Sequence, residues 1–291
     1  GFTGFLKVSL KLDQTAHIPV LPERTERLEF TNRSRHAQGF YMAELEYAIQ
    51  TGQILEVTQI HGAIAYQRTY GIFKKYMQTF VKLKTCASGK KTQDECDIFN
   101  ACCRRDGFDL VITPEMTSKN PGLKSLAKLF CNSLWGKTAQ RDDMAKKAIC
   151  TTVEQVNQIV FNQKTTECQI SNHYTDDFGS WVEMSYSERQ SPFTPPSEYT
   201  NCAIAAATTA NARIRLHKML LFLHPSQVIY CDTDSVLYEI DSTNKAHRNP
   251  RTDPNAVAEG IYMGTALGEW ESELKPGQKI KEITCLGPKA Y

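Results

Sequence analysis

Two carboxylates lie one residue apart in Tyr230-Cys231-Asp232-Thr233-Asp234-Ser235. Val228 to Cys231 and Val236 to Ile240 are strand-like runs, which puts the acids at a tight turn between them. Residues two apart in extended chain point to one face, so Asp232 and Asp234 converge while Thr233 faces away. Carboxylates held that close repel unless a cation lies between them. Magnesium takes oxygen ligands of this kind and completes its shell with water and phosphate oxygens. The chemistry suggested is metal-assisted work on a phosphate. The plain alternative is an ordinary hairpin turn, in which Asp and Thr are common.

A second set of groups lies in Asn120-Pro-Gly-Leu-Lys124-Ser-Leu-Ala-Lys128-Leu-Phe-Cys-Asn132-Ser133-Leu-Trp135-Gly136-Lys137. Asn120 can cap a helix whose first position suits Pro121. At roughly 100° per residue, Lys124, Lys128, Asn132 and Trp135 fall within an arc of about 80°. Leu123, Leu126, Phe130 and Leu134 fall opposite, on the side expected to meet the core. One face then offers two ammonium groups, an amide and a flat ring, a set that suits a nucleoside triphosphate. A solvated polar face that happens to carry a tryptophan is the competing reading. One triphosphate must reach both segments, so the acidic turn and the Lys128 side of the helix are expected to face one cleft.

The elements that position these groups can be read around them. Ala43 to Gln50 reads as a short helix stopped by Gly52, and Ile54–Ile60 with Gly62–Tyr66 as a hairpin. Tyr70 to Lys84 reads as a helix with Ile72, Phe73, Tyr76, Met77 and Phe80 on one stripe. A polar, cysteine-bearing stretch runs from Thr85 to about Asp106. Residues 151–196 alternate short strands and turns, with a helix near Val153 to Ile159, and Asn201 to Leu223 is a long alanine-rich helix. Strands and helices do not alternate as in a doubly wound sheet, so the order points to an α+β fold.

The composition sets limits. At 291 residues and 41% hydrophobic, the chain can bury one substantial core or two smaller ones. A net charge of +2 is too small to imply nucleic acid by itself, although Lys119 to Lys147 holds seven basic residues against Asp142 and Asp143. No apolar run reaches the length of a membrane span, and no secretory signal is visible. The start at Gly1-Phe2 reads as a gene product that begins further upstream. The ten cysteines lack the spacing of a zinc module and read as reduced, mostly buried thiols of an intracellular protein.

Taken together, the segments resemble one family. Lys128-x-x-x-Asn132-Ser133-x-Trp135-Gly136 resembles the KxxxNSxYG motif of family B DNA polymerases, and Tyr230 to Ser235 matches their YxDTDS motif. Pro288-Lys289-Ala290-Tyr291 resembles the KxY element of the protein-primed branch. The wider phrasing is similar to the protein-primed polymerases of Maverick/Polinton-type transposons and related viruses.

The resemblance implies a palm, an antiparallel sheet with packed helices, and an inserted helical fingers subdomain. Residues 1–66 would be partial palm with an N-terminal insertion region, 67–140 fingers, and 141–291 palm with a hairpin insertion. It implies a DNA-directed DNA polymerase that adds deoxynucleoside triphosphates to a primer by two-metal phosphoryl transfer, using Mg2+ or Mn2+. The partners implied are primer-template DNA, the nucleotide and a terminal priming protein, with no membrane. By motif position, Asp234 is the main metal ligand and Asp232 its companion. Lys128 meets the triphosphate, with Lys124 on the same face. Asn132 shapes the nucleotide pocket, and Trp135 stands under the nascent pair. Ser133, Gly136, Lys137, Lys289 and Tyr291 would lie along the DNA, the last two holding the primer.

The sequence departs from the family pattern in two ways. Trp135 replaces the usual tyrosine, keeping the ring but losing the hydroxyl. The family's other metal-binding acid lies in a DxxSLYP motif that these 291 residues do not contain, and Asp13 lacks its context. Exonuclease motifs are also absent from them, and a thumb is expected after Tyr291. The isolated chain is therefore expected to be inactive. Other classes fit less of the sequence. A decayed transposon- or virus-derived remnant would bind DNA and nucleotide without catalysis. A sugar-nucleotide transferase also uses an Asp-x-Asp pair but leaves the Lys128 to Gly136 segment unexplained. A reverse transcriptase would carry two adjacent acids.

Overall fold

The computed structural model describes residues 2–140, 144–177, 179–188, 200–264, 268–275, 277–287 and 289. It is α+β, with antiparallel sheets and seven α-helices among the described residues. The chain divides into two compact units, residues 1–134 with 203–291, and residues 135–202.

The first unit opens with β1 (Phe2–Leu12). After a small ribbon of β2 (Pro22–Arg24) and β3 (Leu28–Phe30) come β4 (Arg35–Tyr41) and α1 (Met42–Gln50). β5 (Ile54–Gln67) completes a sheet in which β1 lies between β4 and β5. Val8, Leu10 and Leu12 alternate into a core with Phe40, Leu45 and Ala48, as a period of two requires. Gly52, at φ +72°, ends α1 where the sequence places its stop. The hairpin expected over Ile54–Tyr66 does not form. Instead β5 is a single strand of 14 residues, paired with β1 from Phe2↔Gln67 to Leu12↔Ile54. A lone Gly62 after His61 is a weak turn signal, and β1 offers a continuous partner longer than either half.

α2 (Lys74–Cys86), α3 (Gln93–Arg105) and α4 (Pro121–Thr138) follow. α2 begins later than the apolar stripe suggests, because Gly71 at φ +75° turns the chain and leaves Tyr70 and Ile72 exposed. The polar stretch after α2 contains α3, set by a capping box in which Thr92 Oγ1 accepts from the Glu95 N–H at 3.3 Å and Glu95 Oε2 from the Thr92 N–H at 2.7 Å. Val81, Cys103 and Leu110 form a small core with Met77, Phe99, Phe108 and Cys131.

The second unit begins in the last turn of α4. β6 (Lys146–Cys150), α5 (Val153–Val160), β7 (Thr165–Asp176) and β8 (Gly179–Glu188) give a sheet with β8 in the middle. Tyr174 stacks on Trp181 with ring centroids 4.0 Å apart. Across the sheet, Lys146 pairs with Glu188 and Lys147 with Glu183, both at 2.7 Å. These pairs offset two charges of the basic run from Lys119 to Lys147. Asp142 and Asp143 lie outside the described residues.

Back in the first unit, α6 (Cys202–Phe222) is tied to α1 and to the loop at Ile18 through polar contacts. Arg213 donates to Glu44 at 2.6 and 2.8 Å. His217 Nε2 lies 2.8 Å from the Ile18 carbonyl and Nδ1 lies 3.0 Å from the Tyr47 hydroxyl. The Gln53 amide nitrogen lies 3.0 Å from the same Nε2, so that ring nitrogen meets both a carbonyl and an amide. Burial holds His217 below its usual pKa, despite the Ile18 carbonyl. The unfolded chain therefore binds this proton more readily, and stability falls as pH drops from the ordinary histidine value towards the lowered one. Melting temperature should fall between pH 7.5 and 5.5, and His217→Gln should flatten that slope. Identical slopes for the two proteins would show that the buried ring does not set it.

Candidate active site

β9 (Val228–Asp232) and β10 (Ser235–Tyr238) form the antiparallel hairpin that carries the acids, with Ser235 paired to Asp232. Thr233 sits at φ +53°, and the Asp234 N–H reaches the Asp232 carbonyl at 2.6 Å, the contact of a γ-turn. A β-branched residue there costs about 1–3 kcal/mol, strain that surrounding structure must hold. Two features hold it. Val228, Val236 and Tyr238 pack on a core of Met219, Phe222, Leu223, Ala256 and Ile261. The base of the hairpin is pinned by Gln227, which is fully buried. Its amide nitrogen donates to the carbonyls of Glu239 and Arg248, and its oxygen accepts from the N–H groups of Arg248 and His224. Gln227→Ala strips four backbone partners at once and should cost about 2–4 kcal/mol in chemical denaturation. A loss below 0.5 kcal/mol would mean that water replaces the side chain.

At the turn, Asp232 is half-buried and Asp234 exposed. Lys289 reaches back to this point. Its Nζ donates to both oxygens of Asp232, at 2.8 and 2.7 Å, and its backbone N–H donates to the Tyr230 hydroxyl at 2.9 Å. Thr233 Oγ1 donates to Asp232 at 2.8 Å. The Lys289 ammonium, and then the Thr233 hydroxyl, hold the Asp232 carboxyl below its usual range. Sequence reasoning placed Lys289 along the primer and missed this pairing, which spans 57 residues with no local signal. Tyr291 lies outside the described residues, and Asp13 is engaged locally, accepting from Thr15.

On α4, Asn120 Oδ1 caps the helix by accepting from the Leu123 N–H at 3.0 Å. Lys124, Lys128, Asn132 and Ser133 are exposed. The core-facing line differs from the expected one. Ala127 is buried and Cys131 packs on the small core, while Leu123, Leu126 and Phe130 stay substantially exposed. Phe130 nonetheless stacks on Phe80, with ring centroids 4.6 Å apart. Ser133 Oγ donates back to the Leu129 carbonyl at 2.7 Å. Trp135, Gly136 and Lys137 fall in the second unit, all exposed, and Lys137 donates to Gln140 at 2.6 Å. The structure thus joins Lys289 to Asp232, with Asp234 two positions along the same turn, but neither Lys128 nor Asn132 makes a hydrogen bond or ion pair with them. Among the described residues, no group of three or more His, Cys, Asp or Glu is placed to hold a metal, so the turn offers two carboxylates. All ten cysteines are free, and Cys231, beside the acids, is exposed rather than buried as expected. No helix among the described residues is long and apolar enough to cross a membrane.

No curated protein and no solved structure matches the chain. One family model does, over residues 113–220, a span that covers α4, the second unit and most of α6 but ends before the acidic turn. That model is described as DNA polymerase type B, organellar and viral, and the match supports reading this chain as part of a family B DNA polymerase.

Proposed function

We propose that the chain supplies the palm and fingers of a protein-primed family B DNA polymerase of the Maverick/Polinton type. The carrying observation is the family match over residues 113–220, within which α4 bears the Lys128 to Gly136 motif. In this reading, residues 67–140 are fingers, with residues 1–66 and 141–291 contributing palm. Asp232 and Asp234 would hold a divalent ion. Asp232 already places both oxygens on one cation, the Lys289 ammonium, and hard carboxylate oxygens suit Mg2+ or Mn2+. When bound, such ions supply charge for the primer oxygen and the leaving pyrophosphate. Lys128, with Lys124 beside it, would take the nucleotide's phosphates. Asn132 and Trp135 would orient sugar and base, while Ser133, Gly136, Lys137, Lys289 and Tyr291 follow the DNA.

Primer-template DNA should bind weakly and with little sequence preference, mainly through phosphate contacts of Lys119, Lys137 and Lys289, since Lys146 and Lys147 are paired across their sheet. Affinity measured by anisotropy should fall steadily as salt rises from 50 to about 200 mM, because released counterions drive such contacts. Salt-independent or strongly sequence-specific binding would exclude a polymerase channel. The two-carboxylate turn also favours a second reading, a remnant that binds DNA and nucleotide without chemistry. Restored synthesis in a longer chain carrying a third acid separates the two readings.

A further inference from the structure

We propose that the Lys289 ammonium is a built-in competitor of the divalent ion at Asp232, so that metal binding must displace it. This rests on the reading of the turn as a metal site and adds a control to that site. Lys289 Nζ lies 2.8 and 2.7 Å from the two oxygens of Asp232. An ion bound at the roughly 2.0–2.1 Å of a magnesium–oxygen bond would draw on the same two oxygens and on the charge that holds the ammonium there. Two cations on one carboxylate also repel each other. The ammonium and the ion therefore compete for Asp232.

The placement of Lys289 is backed by its main chain. Its backbone N–H donates to the Tyr230 hydroxyl at 2.9 Å, and its φ of +59° is a conformation that non-glycine residues seldom adopt. Tyr230 and Asp232 are both on β9, so one strand fixes the lysine's backbone and its charged end. The Lys289 side chain is 72% exposed and the Asp232 side chain 24%. The ammonium can therefore swing into water while its backbone stays on Tyr230. Asp234 carries no such partner lysine among the described residues, and an arriving ion can engage it first. Loading would then proceed from Asp234 towards Asp232 as Lys289 lets go.

Mn2+ titrations of the full 291-residue chain, without DNA or nucleotide, followed by the EPR signal of the free ion, test this directly. Lys289→Gln, with Lys289→Met as a second neutral variant, should bind Mn2+ about three- to tenfold more tightly than the unaltered chain. Lys289→Arg keeps the charge and should stay within about twofold of it. In an Asp232→Asn background, Lys289→Gln should bring no gain, because the contested oxygens are gone. Unchanged affinity in both neutral variants overturns the competition, as does an equal gain in the Asp232→Asn background. If Asp232→Asn and Asp234→Asn both bind Mn2+ like the unaltered chain, the metal reading of the turn fails, and the competition with it. Far-UV circular dichroism should show every variant folded, since Lys289 and the turn lie at the surface.

Discussion

Asp234→Asn should abolish primer extension in a longer chain that carries a third acid upstream. Asparagine keeps the shape of aspartate and removes its charge. The turn does not depend on that charge, because the Asp234 N–H, not its side chain, bonds the Asp232 carbonyl at 2.6 Å. The hairpin should therefore persist on Gln227 and on the core beneath it, and the loss should be one of chemistry. An ion that polarises a phosphoryl group contributes several kcal/mol to the transition state, so the rate should drop by about 10³-fold or more. Residues 1–291 alone should show no extension in the same assay, having two of the carboxylates that the two-metal reaction needs. Robust Mg2+-dependent synthesis by the isolated chain would mean that a third acid exists within it. Full synthesis by the Asp234→Asn enzyme would remove the acidic turn from the mechanism.

How far the sequence reaches depends on how local each signal is. The hairpin is legible because its flanking strands are contained in Val228 to Ile240, but the period of two does not carry through the turn, where Thr233 sits at φ +53° and gives its hydroxyl to Asp232 instead of facing away. The start of α4 is legible because a capping asparagine and a first-position proline are adjacent. The buried line of α4 is not. Periodicity says that Leu123, Leu126 and Phe130 share a side, but Ala127 is the buried position and Cys131 joins the small core, while Phe130 stays half-exposed against Phe80. α3 was available in principle, since Thr92 and Glu95 stand three apart before it, but its charged composition masks the pattern. β5 shows the opposite failure. Both halves read as strand, but their continuity follows from pairing with β1, a distant segment. The Lys289–Asp232 contact is the extreme case, with its partners 57 positions apart and only charge to suggest it. These contacts are products of tertiary structure, and local preference alone does not encode them.

Lys128→Ala should weaken the use of deoxynucleoside triphosphates in the longer enzyme while leaving primer-template affinity nearly intact. The reason is positional. Lys128 shares one helical arc with Lys124, Asn132 and Trp135, whereas a lysine that merely tracks DNA can sit anywhere on the basic run. It is exposed on a helix whose start is fixed by the Asn120 cap, and its neighbour Ala127 is buried. That anchoring holds the ammonium's root in place, so little ordering is lost when it meets a phosphate. A charge-assisted hydrogen bond to phosphate is worth roughly 1.5–3 kcal/mol. Nucleotide use should therefore fall by about tenfold to a hundredfold. Lys137→Ala is the control. Lys137 lies on a different side of the helix and donates to Gln140, so its loss should touch nucleotide use much less. Steady-state titrations in nucleotide and in primer-template separate the two effects. If both substitutions raise the nucleotide requirement equally, α4 has no dedicated nucleotide face, and Asn132 and Trp135 lose their roles together with Lys128. If Lys128→Ala instead weakens primer-template binding and spares the nucleotide, the lysine belongs to the DNA path.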